Sequence, residues 1–357
     1  MHTPERILIV RLSAIGDVLH VLPSLRCLRH HFPYAKISWL VEDRAAGLLD
    51  GHPDLDEVIV FPRRRWREGL FRPLQAAGTI RSVYVFFRDE LRARAFDVAI
   101  DFQGNLKSGV MTYLSGAPVR IGFAKGHCRE FNHLFTTRQV TPPKEKTHRV
   151  DKDLSLLAAV GVEPRYERST ISVPAADRDY ITQSLATYKN KSGPLVVIHP
   201  GTSEFGAYKR WPAEAFVRLG DMLVGEMNAQ VVVTWGHDEL DMAKEIVSGM
   251  QKGAHLAPKT ANISQLASII GLSDLFISAD TGPMHIASVL GVPQVAIFGP
   301  KDPEIYGPYN ERAVVVRKGV DCSPCAKRTC EDPFCITEIV PEEVFEAASG
   351  LLANRVG

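Results

Sequence analysis

Several absences narrow this sequence before any motif is considered. No apolar run approaches the length of a membrane-spanning helix, so a spanning segment is not expected. The first strand-like run, Arg6–Arg11, is too short for a signal core and no such core precedes it, so the expectation is a cytoplasmic protein with reduced thiols. Net charge is nearly missing: 42 Lys and Arg against 41 Asp and Glu give +1, which removes the global field a nucleic-acid binder uses and leaves only local electrostatics. The G-x-G-x-x-G fingerprint is absent, so hydride transfer from a dinucleotide loses its main support. D-x-D patterns occur at Asp54/Asp56, Asp151/Asp153 and Asp177/Asp179, but none directly follows a buried strand, and no divalent-ion site is expected there.

What is present describes a globular α/β protein. A length of 357 residues is long for one core and predicts two domains. Apolar strand-like runs at Arg6–Arg11, Lys36–Val41, Glu57–Phe61 and Asp97–Asp101 alternate with helical stretches, the pattern of a doubly wound parallel sheet. Helical periodicity covers His148–Val160, a short strand is expected at Ser169–Val173, and the pattern restarts at Pro194–His199, Gln230–Gly236, Asp274–Ala279 and Gln294–Phe298. The expected division is 1–174 and 175–357, with an amphipathic closing helix, Pro341–Leu352, packing across both domains.

Ligands of open α/β sheets bind at the carboxyl edge, so the residues after each strand are the candidates. Asp17 follows the first strand through Ser13-Ala-Ile-Gly16 and reads as a helix cap or as an acid for chemistry. Gln103 and Lys107 follow the strand at 97–101. Arg64, Arg65 and Arg67 lie beside Trp66, and Arg129 follows further on; these read as solvated charge or as forks for phosphate and carboxylate. In the second half, Thr202 and Ser203 follow Pro194–His199, Lys209 precedes Trp211-Pro212, and Glu239 lies past Gln230–Gly236, placed either to accept ribose hydroxyls or to favour a helix dipole. Asp280, Thr281 and Gly282 open a short helix whose unpaired N–H groups suit an anion, with Pro283 supplying none. Cys322, Cys325, Cys330 and Cys335 form C-x2-C-x4-C-x4-C, for which a structural metal, free thiols and a disulfide all stay open.

Three of these motifs, Ser13-Ala-Ile-Gly-Asp-Val-Leu-His20, Lys209-Arg-Trp-Pro212 and Ser278-Ala-Asp-Thr-Gly-Pro-Met-His285 with Phe298-Gly-Pro300, resemble the lipopolysaccharide heptosyltransferases of glycosyltransferase family 9. The resemblance runs from Ile7 to about Pro308. It implies a GT-B fold of two Rossmann-like domains facing a cleft, the first for acceptor and the second for donor. It implies inverting transfer of heptose from ADP-heptose to the lipopolysaccharide inner core, Kdo-lipid A or its heptosylated form, at the inner face of the inner membrane. No cofactor is implied for catalysis. Asp17 would be the general base and Lys209 catalytic. Thr202, Ser203, Lys209, Glu239, Asp280, Thr281, Gly282 and His285 would bind donor, and Arg64, Arg65, Arg67, Gln103, Lys107 and Arg129 acceptor. Another nucleotide sugar, or a non-catalytic nucleotide or anion module, remain the alternatives.

Overall fold

The structure is a computed structural model. It describes residues 3–70, 73–144, 146–188, 193–202, 204–236, 238–325, 327 and 329–353, and for residues 64, 69, 70, 73–76, 204 and 205 the backbone alone. Contacts divide the chain into two compact units, Met1–Ser172 and Val173–Gly357.

The first unit holds a six-stranded parallel sheet in the order β3-β2-β1-β4-β5-β6. Its strands are β1 (Arg6–Val10), β2 (Lys36–Glu42), β3 (Glu57–Phe61), β4 (Val98–Asp101), β5 (Val119–Phe123) and β6 (Arg138–Val140). Four of the five residues of β1 are buried, as expected of a central strand covered on both faces. The order reverses between β1 and β4, where Val10 pairs with Asp101, so the loops after both strands leave the sheet side by side. This is the switch point at which such sheets hold ligands. Leu8, Val10, Leu40, Ile59, Trp66 and Phe86 pack in one apolar cluster on this sheet.

The second unit repeats the plan. Its strands are β7 (Leu195–His199), β8 (Gln230–Val233), β9 (His255–Leu256), β10 (Leu275–Ala279), β11 (Gln294–Phe298) and β12 (Ala313–Arg317). Their order is β12-β11-β10-β7-β8-β9, the same winding, with the reversal between β7 and β10. There His199 pairs with Ser278. Trp211 and Phe216 are fully buried in its core, and the closing helix Pro341–Ala353 contributes Val344, Ala348 and Leu352 to the same cluster. The Trp211 indole N–H donates to Ile339 O at 2.9 Å, satisfying the one polar group of a buried ring.

One local expectation is corrected and another refined. Ser169–Val173 forms no strand; its backbone has no ladder partner. The helix of His148–Val160 is α-helical only over Arg149–Ser155 and tightens to a 3-10 turn over Leu156–Val160. Gly161 then ends it at φ +80°, a left-handed conformation that glycine adopts without a Cβ clash.

Candidate active site

At the first switch point the chain leaves β1 at Arg11 and enters the helix Ile15–His31. Asp17 lies in the first turn of that helix. Asp17 is not the N-cap, which is Ala14; it sits at the third helical position and its Oδ2 reaches back to accept the Ala14 N–H at 3.2 Å. Its Oδ1 meets Arg11 Nη2 at 2.9 Å, and the side chain is 40% exposed, so the carboxylate is also open to a ligand. Arg11 is buried and donates a second bond from Nη1 to Phe102 O, which fixes the guanidinium against the β4 loop.

That loop is organised by Asp101, which is wholly buried. It accepts the Gln103 and Gly104 N–H groups at 2.9 and 3.0 Å, the Ser108 hydroxyl at 2.8 Å and Asn132 Nδ2 at 2.7 Å. Burial pushes its carboxyl up, and these four donors pull it back. Gln103 points its Oε1 at the β1 loop, where it accepts the Leu12 and Ser13 N–H groups at 3.0 and 3.3 Å. Gln103 therefore positions the segment that carries Asp17.

Further along the rim, Glu42 at the end of β2 is buried and receives Lys107 Nζ, while Arg63 Nη1 reaches it at 3.4 Å. Arg65 and Arg67 are exposed on the helix Arg63–Leu70, and Arg129 is exposed on its loop. The Arg64 side chain lies outside the described residues. Behind Asp17, Asp153 is buried on the helix Arg149–Ser155; burial, opposed by Arg11 and aided by Asp17, pushes its carboxyl up to about 7. Lys152 beside it is lowered to about 8 by burial and by the Arg149 charge.

At the second switch point, Lys209 Nζ pairs with Asp280 Oδ2 at 2.6 Å, both side chains mostly buried. Thr281 caps the helix Gly282–Leu290 with extended backbone and no side-chain bond to the first turn, so the N–H groups there are not consumed by a cap. His285 is buried on that helix. Thr202 is buried, and its Oγ1 and O accept Arg210 Nε and Nη2 at 3.0 and 2.7 Å. Ser203 lies outside the described residues.

Glu239 folds back on the loops after β7 and β8. Its Oε2 accepts the Gly236 N–H at 2.7 Å, and burial raises its proton affinity. A Cβ on Gly201 would fall 2.1 Å from the Glu239 carboxyl carbon, so only glycine lets that carboxylate lie there. His199 stands beneath, its Nε2 3.8 Å from Glu239 Oε2. Burial lowers it to about 4, so it is neutral at pH 7. The Thr234 hydroxyl donates to Ile198 O at 3.1 Å and therefore accepts from His199 Nδ1 at 3.0 Å, which places the ring proton on Nδ1.

The four C-terminal cysteines are free thiols. They lie near enough that Cys322, Cys330 and Cys325 raise Cys335, after burial itself. Among the described residues no three His, Cys, Asp or Glu side chains gather as a metal ligand set. Arg11, Glu42, Asp101, His199 and Arg210 belong to these rims and were not singled out from the sequence. Arg11, Glu42, Asp101 and His199 end or follow an apolar strand, the same signal that singled out Asp17 and Glu239.

The family model for glycosyltransferase family 9 (heptosyltransferase) matches residues 85–334. The chain belongs to that family. This family 9 glycosyltransferase is 27% identical to lipopolysaccharide heptosyltransferase 1 of Pseudomonas aeruginosa, over 97% of this chain and 98% of that protein. It is 29% identical to lipopolysaccharide heptosyltransferase 1 of Escherichia coli K12, over 87% and 93% of the two chains. The E. coli heptosyltransferase WaaC solved with ADP superposes with a TM-score of 0.77 at 25% identity, covering 97% of this chain and 99% of that one. A family 9 glycosyl transferase from Veillonella parvula shares the fold at a TM-score of 0.84 and 23% identity, over 99% of both chains. The family model begins after Asp17, whereas the Pseudomonas relative spans nearly the full chain.

Proposed function

We propose that this family 9 glycosyltransferase moves an L-glycero-D-manno-heptosyl group from ADP-heptose to an inner-core acceptor of lipopolysaccharide, with inversion. The first unit takes the acceptor and the second the donor. The acceptor hydroxyl oxygen bonds to the anomeric carbon as the bond from that carbon to the diphosphate oxygen breaks. The hydroxyl proton passes to Asp17, and ADP departs with the bonding pair. Arg11 holds one Asp17 oxygen and keeps the carboxylate aimed.

Lys209, the Thr202 loop and the helix N-terminus at Thr281–Gly282 supply the positive charge that the leaving diphosphate requires. Glu239 accepts ribose hydroxyls of the donor, and its raised proton affinity strengthens it as an acceptor. Lys107, Arg65, Arg67 and Arg129 meet acceptor phosphate and carboxylate groups. What supports the reading most is one observation: a guanidinium-anchored but exposed carboxylate stands at the first switch point, while the second carries a lysine and a helix start whose cap makes no side-chain bond.

Asp17→Ala is the decisive test. Transfer should fall by about 10²–10⁴ in kcat, the range of lost general-base catalysis, with ADP affinity by calorimetry unchanged. Loss of ADP binding in a folded variant would remove Asp17 from the base role. Turnover with UDP-sugars but not ADP-heptose would reassign the donor.

A further inference from the structure

A cavity of about 510 Å³ opens beside the acceptor rim of the first unit. Its walls are Phe61, Trp66, Val83, Phe87, Val110 and Met111, and its rim carries Arg63, Arg67 and Lys107. The walls are preformed. Trp66 stands edge-on to Phe61 and Phe86 at 5.0 and 5.2 Å between centroids, and Phe86 is edge-on to Phe87 at 5.3 Å. Such pairs resist collapse of the space they frame. On the helix that supplies Val83, Ile80 and Tyr84 are 61% and 59% exposed, one turn apart, extending the apolar surface outward.

A sugar in this cavity would leave its hydroxyls without partners among apolar walls, at a cost of several kcal/mol. The size lies within the roughly 300–1,000 Å³ of small-molecule sites. Arg63, Arg67 and Lys107 are the charged residues of an otherwise apolar lining, so an occupant anionic at one end and hydrocarbon along the rest fits it. We infer that this cavity binds an aliphatic chain carried on an anionic head, the acyl part of the lipid-linked acceptor. The inference rests on the acceptor reading above. The head stays at Arg67 and Lys107, and the chain lies against Trp66, Val83 and Val110.

The test titrates the full chain with octyl, decyl and dodecyl phosphate below their micellar concentrations, following Trp fluorescence and calorimetry. Binding should tighten about tenfold for each two added carbons, the increment for burying two methylenes. Val110→Trp, which fills the cavity, and Val83→Glu, which charges its wall, should each weaken dodecyl phosphate at least tenfold while ADP affinity stays unchanged and far-UV circular dichroism shows both variants folded. Inorganic phosphate binding as tightly as dodecyl phosphate, dodecyl maltoside binding equally well, or both folded variants binding like the parent would overturn the inference.

Activity separates the two readings. Wild-type heptosyl transfer to acylated acceptor should show a KM at least tenfold below that for deacylated acceptor, and Val110→Trp should erase the difference. Equal KM values refute the acyl site and leave the transferase standing. No transfer to either acceptor, with dodecyl phosphate still bound at the cavity, refutes the acceptor reading and leaves a chain-binding cavity.

Discussion

The two units wind their sheets identically yet equip the same topological position with opposite chemistry. Beside β1 and β4 the reversal carries carboxylates managed by a guanidinium: Asp17 held by Arg11, with Asp153 buried behind and Asp101 tying the loop. Beside β7 and β10 it carries a lysine managed by a carboxylate and the start of a helix. The fold places the site, and a handful of side chains decides whether that site removes a proton or receives an anion.

The sharpest way to separate the units is pH, because each buries one group whose neutral form burial favours. Asp153, raised to about 7, holds a proton that the unfolded chain has released. Its contribution is present below the unfolded value near 4 and is lost as pH rises through about 7, about 4 kcal/mol in all. His199, lowered to about 4, stays neutral where the unfolded chain binds a proton. Its contribution is present above about 6.5 and is lost as pH falls through about 4, about 3 kcal/mol in all. Hydrogen exchange of β1 and β4 against β7 and β10 should register these opposed slopes. Asp153→Asn should flatten only the first and His199→Gln only the second. Unchanged slopes in either variant would mean the group is not buried in the stated form.

Next in size is Lys209→Met, expected to lower kcat/KM by about 10², the loss of one charge-stabilising donor. It should also cost about 1–3 kcal/mol in thermal unfolding, because Asp280 is left buried without its partner. Adding Asp280→Asn should restore the stability and not the activity. Recovery of both would make the pair structural.

Gly201→Ala should displace the Glu239 carboxylate and weaken ADP binding about tenfold, measured by calorimetry. Unaltered affinity would detach Glu239 from the donor. The smallest effect is expected for Gln103→Ala, which frees the Leu12 and Ser13 N–H groups. That should lower kcat about fivefold, about 1 kcal/mol, with acceptor KM unchanged. A raised KM with unchanged kcat would return Gln103 to acceptor contact.

Much of this architecture was legible in the apolar runs. β1, β2, β4, β7, β8, β10 and β11 are almost wholly buried apolar runs bounded by turns, and β3, only partly buried, still shows its β-branched run. β5 was not, because Arg120 and Gly122 interrupt it. Gly122 is there for packing: a Cβ would lie 2.7 Å from Thr136 Cγ2. The short β6 and β9 and the outermost β12 lie at or near sheet edges, where burial imprints little pattern. In the site, the residues after each strand were legible because topology alone brings them to one rim. Their partners were not. That Glu42 would receive cations from residues 63 and 107, or that Gln103 would hold residues 12 and 13, depends on pairings across long sequence separations.

Glu42 has one more effect. With no ligand bound, its single negative charge offsets part of the Arg63 and Lys107 cluster, and both cations are spoken for. A polyanion drifting past therefore meets a muted potential, and only a group able to compete with a buried carboxylate at short range can claim those side chains. Discrimination among anions is thereby shifted from long-range attraction to close fit.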